Sequence, residues 1–281
     1  MDNELLTYCE DQVRRFDHDR YLCALFAGEG ARARLMALYA FNVEIARVRE
    51  LVSEPVIGQM RLQWWRDAIG EFAAGRVREH PVAQALAAAV AERPVSSELF
   101  ERLLTGREFD LGDTRPDTLA ALEQYAADTS AALSAAALSL LGVTDAASER
   151  AAHHVGIAWA LTGLLRAISF HAQRRRLYLP QDLLAGAGVT ADEVIEGKAG
   201  GRVAIAVRSI AERSREHLRF ARAQRQGVAR EALPVLLPAR LADRHLRRLE
   251  RAGFDPFSPS LRQPLPGGGV GLALAAAMKR Y

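Results

Sequence analysis

The stretch GIAWALTGLLRAISFHAQRRRLYLP, residues 156–180, carries two instructions in succession. Its first part continues an Ala-rich run, apolar on several faces over residues 147–169, which is the pattern of a helix buried all round. Its second part ends that helix, because Pro180 disfavours helical geometry at Leu179 and the chain must leave the helix around 174–180. Working outward, residues 119–141 repeat the first pattern and predict a second long central helix. Towards the N-terminus, Leu35, Leu38, Tyr39, Val43, Ala46 and Leu51 recur near the 3.6-residue period and predict a helix over 31–52. Pro55 suits a first helical turn, apolar residues run from Ile57 to Phe72, and Gly75 supplies the stop. Shorter helices are predicted over 81–91 and 96–107, with a turn at 113–116. Thr190 followed by Asp192 and Glu193 marks another helix start. A basic helix over 203–225 and a last one reaching residue 252 complete the pattern. Strand signals are scarce, so the fold class is all-α. No repeat or linker divides the chain, and residues 1–281 read as one domain with an irregular to helical, Pro/Gly-rich tail over 253–281.

Composition narrows the function classes. With 281 residues, 49% hydrophobic and 25% charged, the chain has an ordinary globular make-up. A formal charge of +3 is too small for a nucleic-acid footprint but would not oppose an anionic ligand or membrane surface. Only Lys198 and Lys279 interrupt an all-Arg set of basic residues, which reads as codon usage. Cys9 and Cys23 lack metal-type spacing and are expected as reduced, partly buried thiols. The acidic N-terminus MDNELLTYCEDQ has no apolar h-region, so no secretory signal is expected. The longest apolar candidate, residues 267–278, falls short of the roughly 20 residues a spanning helix needs. A cytoplasmic, bacterial-type protein fits, with peripheral contact at the inner membrane compatible with the charge. P-loops, GxGxxG turns, Ser/His/Asp triads and Cys/His zinc spacings are absent from the sequence.

Several segments, taken in order, resemble the squalene/phytoene synthase family. Asp19, Arg20, Tyr21 and Leu22 lead into residues 35–41 (LMALYAF), and residues 61–66 (RLQWWR) precede Asp67. Leu122, Glu123, Gln124 and Tyr125 with Thr129 resemble a central family helix, and the 156–180 stretch resembles a second signature. Order and spacing agree over 19–182 and more loosely beyond. The resemblance implies an isoprenoid synthase fold, a helical bundle around a central cavity. It also implies head-to-head joining of two prenyl diphosphates, with Mg²⁺ held by two helical motifs of aspartates. Aspartates at i and i+4 share one helix face, where they hold hard cations against diphosphate oxygens.

Those aspartates are missing here. The first motif aligns with Ala46, Arg47, Val48, Arg49 and Glu50, of which only Glu50 is acidic; at the second stand Arg166, Ala167 and His171, with Gly163 where an Asn is usual. The substitutions, with Ala40-Phe41-Asn42-Val43-Glu44, Val52-Ser53-Glu54, Phe254-Asp255-Pro256-Phe257 and Pro259-Ser260-Leu261, resemble one branch of the family. That branch assists assembly of respiratory complex I. It implies a non-catalytic role, complex I subunits or other assembly factors as partners, and no cofactor. The alternative is an active head-to-head prenyltransferase using Mg²⁺; a third reading is a lipid-binding protein that presents an isoprenoid.

The degenerate positions Ala46, Glu50, Ala167 and His171 are accordingly of interest as vestiges. Tyr21, Tyr39, Asn42, Arg47, Glu50, Arg66, Tyr125, Thr129, Arg166, Arg174, Arg176 and Tyr178 are the candidates to line a cavity. Guanidinium forks suit phosphate or carboxylate, so Arg166, Arg174, Arg175 and Arg176 read either as a head-group site or as a solvated basic turn plus one buried Arg paired to an acid such as Glu50. His171 reads as a general base or a packing histidine. The aromatics Trp64, Trp65, Trp159 and Phe41 read as core or as cavity wall.

Overall fold

The computed structural model describes residues 2–262, 268–278 and 280–281, and these form helices and turns with no strand among them. An N-terminal pair, α1 (Asn3–Phe16) and α2 (His18–Ala24), lies outside the sequence expectation. Asp caps start both: Asp2 accepts from the Glu4 N–H and Asp17 from the Arg20 N–H. Helix α3 (Glu29–Ala46) stops at Arg47, where φ is −99° and ψ is 1°. The carbonyl of Arg47 then accepts the first bonds of α4 (Val48–Leu51), from Glu50 and Leu51. The helix predicted over 31–52 is therefore two helices, broken where the first aspartate motif would lie.

Helix α5 (Pro55–Phe72) begins at its proline, as does α6 (Pro81–Glu92), while Ser96 caps α7 (Ser97–Glu108). A 3₁₀ turn, Phe109–Leu111, follows. The predicted helix over 119–141 is continuous but not uniform: α8 (Leu119–Ala126) passes through a π-helical turn, Ala127–Ala131, into α9 (Ala132–Leu141). Within that turn the Thr129 hydroxyl donates to the Tyr125 carbonyl at 2.7 Å. Close approach by a neighbour fixes the turn: a Cβ at Gly156 would sit 2.6 Å from the Cα of Ala131. Gly156 belongs to α10 (Ala146–Arg166), which stops at Ala167 before α11 (Ile168–Gln173). The helix predicted over 147–169 is thus also broken, at the second degenerate motif.

The remainder comprises α12 (Gln181–Gly186), α13 (Ala191–Ile195), α14 (Val203–Ala223), α15 (Leu233–Leu236), α16 (Pro238–Arg251) and α17 (Gly268–Ala277). Thr190 and Glu193 form a capping box at α13. Part of the Pro/Gly-rich tail, residues 263–267, lies outside the described residues, as does Lys279. Helix α10 is the axis of the bundle, packed against α8, α9, α14 and α16, and α3 packs against α1, α6 and α9. Phe41 meets Trp65 and Phe100 edge to face at 5.0 and 5.7 Å within a contiguous core. Each such aromatic contributes on the order of 2 kcal/mol through burial. Cys9 and Cys23 are free and buried, and burial pushes the Cys9 thiol up to about 12, so neither is a reactive thiolate.

Candidate functional site

A cavity of about 320 Å³ opens between the two helix breaks. The end of α3 and the short α4 supply Ala46, Arg49 and Glu50; α10 and α11 supply Leu164, Phe170 and His171. Arg107 and Asp110 come from the end of α7 and the turn after it, Tyr125 from α8, and Arg174, Arg176 and Tyr178 from the segment leaving α11.

The geometry of that leaving segment explains how two of its three arginines reach the cavity. Arg175 adopts φ +54°, a left-handed conformation uncommon for a non-glycine residue. The Arg175 N–H donates to the Ala172 carbonyl and the Arg176 N–H to the His171 carbonyl, both at 2.9 Å, a Schellman closure with Arg in the position usually held by Gly. Arg174 and Arg176 line the cavity, whereas Arg175 is well exposed and reaches Asp192 at 3.8 Å.

Asp110 organises the floor. The residue is 6% exposed, and its carboxylate accepts from the Tyr178 hydroxyl at 2.6 Å, the Tyr125 hydroxyl at 2.9 Å and Arg107 at 3.1 Å. Arg176 donates to the carbonyls of Asp110 and Gly112. Burial, and then the Asp110 charge, push both phenols up, so each stays protonated and donates. His171, with its ring centroid 4.9 Å from that of Tyr178, is pushed down to about 4 by burial and by Arg176. It is a neutral imidazole at neutral pH.

The cavity therefore brings together Ala46, Glu50, Tyr125, His171, Arg174, Arg176 and Tyr178 from the sequence candidates. The others lie elsewhere. Arg47 stacks 3.6 Å above the Phe16 ring and pairs with Glu50 at 3.6 Å. Arg166 pairs with Asp19 at 3.0 Å, and no arginine of the 166–176 cluster pairs with Glu50 among the described residues. Arg66 faces outward onto Glu101 and Glu108, at 2.9 and 2.7 Å. Tyr39 borders a separate small crevice beside Arg20, and Tyr21 stacks on His18. Thr129 serves the π turn, Ala167 caps α10, and Asn42 is buried with its Oδ1 lacking a hydrogen-bond partner. Arg49, Arg107, Asp110, Leu164 and Phe170 were not among the sequence candidates. The one available signal was an acid, Asp110, set between apolar Phe109 and Leu111.

The donor set does not suit magnesium, which takes six oxygen ligands in near-octahedral geometry. Asp110 already accepts from three side chains, and Glu50, the other carboxylate of the cavity, stands against Arg47. Among the described residues no group of three or more His, Cys, Asp or Glu could hold a metal ion.

Residues 13–267 match the squalene/phytoene synthase family. The chain is 34% identical over 274 residues to NADH dehydrogenase (ubiquinone) complex I, assembly factor 6, of Rattus norvegicus, covering 98% of this chain and 82% of that protein. It is 28% identical over 197 residues to the phytoene synthase of Cereibacter sphaeroides, covering 68% of this chain and 56% of that one. A dehydrosqualene synthase crystal structure superposes with a TM-score of 0.85 at 20% identity, covering 98% of this chain and 96% of that one. Fold and sequence agree: the chain has the isoprenoid synthase fold and belongs to the squalene/phytoene synthase family.

Proposed function

We propose that this chain is a catalytically silent member of its family, an assembly or maturation factor for respiratory complex I whose cavity holds a ligand without transforming it. The observation that carries the proposal is the charge of the cavity. Prenyl transfer from a diphosphate needs cations held by carboxylates at the helix motifs. Here Ala46, Ala167 and His171 stand at those positions, and guanidiniums line the space between them. A neutral His171 packed against the Tyr178 ring acts as a packing side chain. Near-full-length similarity to a relative named as a complex I assembly factor supports the same role, with complex I subunits or other assembly factors as partners.

The ligand is an isoprenoid or other lipid, and the protein works at the cytoplasmic face of the inner membrane. No helix among the described residues is long and apolar enough to cross a membrane. Leu51, Val56, Ile57 and Met60 on α4 and the first turns of α5 are exposed and would suit peripheral contact. A strain lacking this protein, assayed for assembled complex I and NADH:quinone activity, tests the role. Both are expected to fall and to return with the intact gene. Unchanged complex I with loss of a squalene- or phytoene-like product would overturn it.

A further inference from the structure

We infer that the surface made by α16 and α17 is a docking face for an anionic lipid bilayer, with α17 lying flat on the membrane rather than crossing it. The inference rests on the reading above that the protein works at a membrane, and it names the face that meets the lipid. Residues 267–278, apolar but too short to span, carry no charged or polar side chain. At 1.5 Å per residue the 10 residues of α17 reach about 15 Å, half the depth of a hydrocarbon core. Leu272 and Ala275 are buried against the bundle, while Leu274 is 62% and Met278 44% exposed. Gly271, Leu274 and Met278 stand at i, i+3 and i+7 and so continue one stripe. The far end is tied down: the Tyr281 hydroxyl donates to the Ala221 carbonyl at 3.1 Å, and Arg222 donates to the Tyr281 carbonyl at 3.0 Å. A fixed helix whose open side is wholly apolar is not built to face water.

Beside it runs a line of cations. Arg240, Arg244, Arg247 and Arg251 stand at i, i+4, i+7 and i+11 along α16 and share one face, opposite the buried Ala242, Leu246 and Leu249. The acids of this helix are turned aside onto α14, where Asp243 pairs with Arg222 at 2.6 Å and Glu250 with Arg215 at 2.7 Å. Arg240, Arg247 and Arg251 have no carboxylate partner among the described residues. Arg244 joins the two faces, since a Cβ at Gly271 would lie 3.8 Å from its Nη1. After Asp255 the sequence holds no acid, and Arg280, just past α17, is exposed. Arginine keeps its stem on apolar surface while its guanidinium reaches a lipid phosphate.

Charge separates this face from the other exposed apolar patch. Leu51, Val56, Ile57 and Met60 lie in a stretch that carries Glu50 and Glu54 beside Arg49 and Arg61, so its charges offset. An acidic protein surface would answer the arginines of α16 but not the charge-free helix next to them. An anionic bilayer answers both, because it sets phosphate and hydrocarbon side by side.

Co-sedimentation of the purified full chain with vesicles tests the assignment, using phosphatidylcholine alone and phosphatidylcholine mixed with phosphatidylglycerol. Saturable binding to the mixed vesicles is expected, with little to phosphatidylcholine alone and a decline as salt rises. Arg247→Gln with Arg251→Gln should weaken it roughly thirtyfold, about fivefold for each arginine. Leu274→Glu should weaken it by roughly tenfold or more, and Met60→Ser should leave it unchanged. All these side chains are exposed, so the variants should melt with the parent. Equal binding to neutral vesicles, or binding indifferent to the α16 and α17 variants, would overturn the assignment. Loss through Met60→Ser alone would overturn it while leaving the protein at the membrane by another face. No vesicle binding at all would remove the membrane reading with it, and capture of an acidic helical peptide instead would make the face a protein dock. The complex I role is read separately, in the deletion strain.

Discussion

Two clusters of buried polar side chains sit in this bundle, and only one has the makings of a site. Around Asp110, two tyrosines and Arg107 converge on a carboxylate, yet a cavity remains beside them, two guanidinium Nε atoms lack acceptors and Arg174 lacks a carboxylate. Around Glu123, on α8, the arrangement is closed. Arg213 Nε and His217 Nε2 both lie 2.7 Å from one Glu123 oxygen, and His217 Nδ1 lies 2.9 Å from His154 Nδ1. A carboxylate only accepts, so His217 Nε2 carries the proton it donates, and its Nδ1 can accept from His154. None of these four side chains leaves a buried polar atom without a partner. Titratable residues in a group therefore do not mark a site by themselves; open space among them does.

The sharpest way to break this contrast is at the acids. Asp110→Ala strands Arg107 and two phenols, and urea unfolding should show a loss of about 3–5 kcal/mol; a loss below about 1 kcal/mol would mean the floor is wetter than the geometry implies. Glu123→Ala leaves the buried His217 without its carboxylate acceptor, while Arg213 keeps Glu216 at 2.8 Å, and should cost less, about 1–3 kcal/mol in the same assay.

Acid pH sharpens the comparison, since each cluster holds a histidine pushed down to about 4: His171 by burial and Arg176, His154 by burial and His217. The unfolded chain binds these protons near pH 6.5 while the fold refuses them, so this contribution to stability falls as pH drops from about 6.5 towards 4. Thermal melts of His171→Gln should show a shallower decline over that window than the parent; an identical slope would contradict the assignment. The smallest effect belongs to Arg174→Gln, which should leave stability within about 0.5 kcal/mol because no carboxylate loses a partner.

Much of the architecture was legible in the sequence, because helix periodicity, the starts at Pro55 and Pro81 and the stop at Gly75 are local. The breaks at Arg47 and Ala167 were not, since neither position carries a Gly or Pro and the backbone turns there without a side-chain signal. The π turn was hidden likewise, being fixed by the close approach of Gly156 from a different helix. In the site, the degenerate positions could be read by alignment with the family motif. Asp110 could not, because its tyrosine partners lie 15 and 68 residues away in the chain. Arg66 looked like a site residue only because it borders a family-like Trp pair; its own helix turns it outward to Glu101 and Glu108.

The central claim is that Ala46, Ala167 and His171 stand where the family's metal-dependent chemistry needs carboxylates, in a cavity lined by guanidiniums. Diphosphate release from farnesyl or geranylgeranyl diphosphate by the purified protein in magnesium tests it most directly. The account predicts release no faster than in buffer alone. Magnesium-dependent turnover, abolished by Glu50→Gln, would contradict it and make the chain a working prenyltransferase.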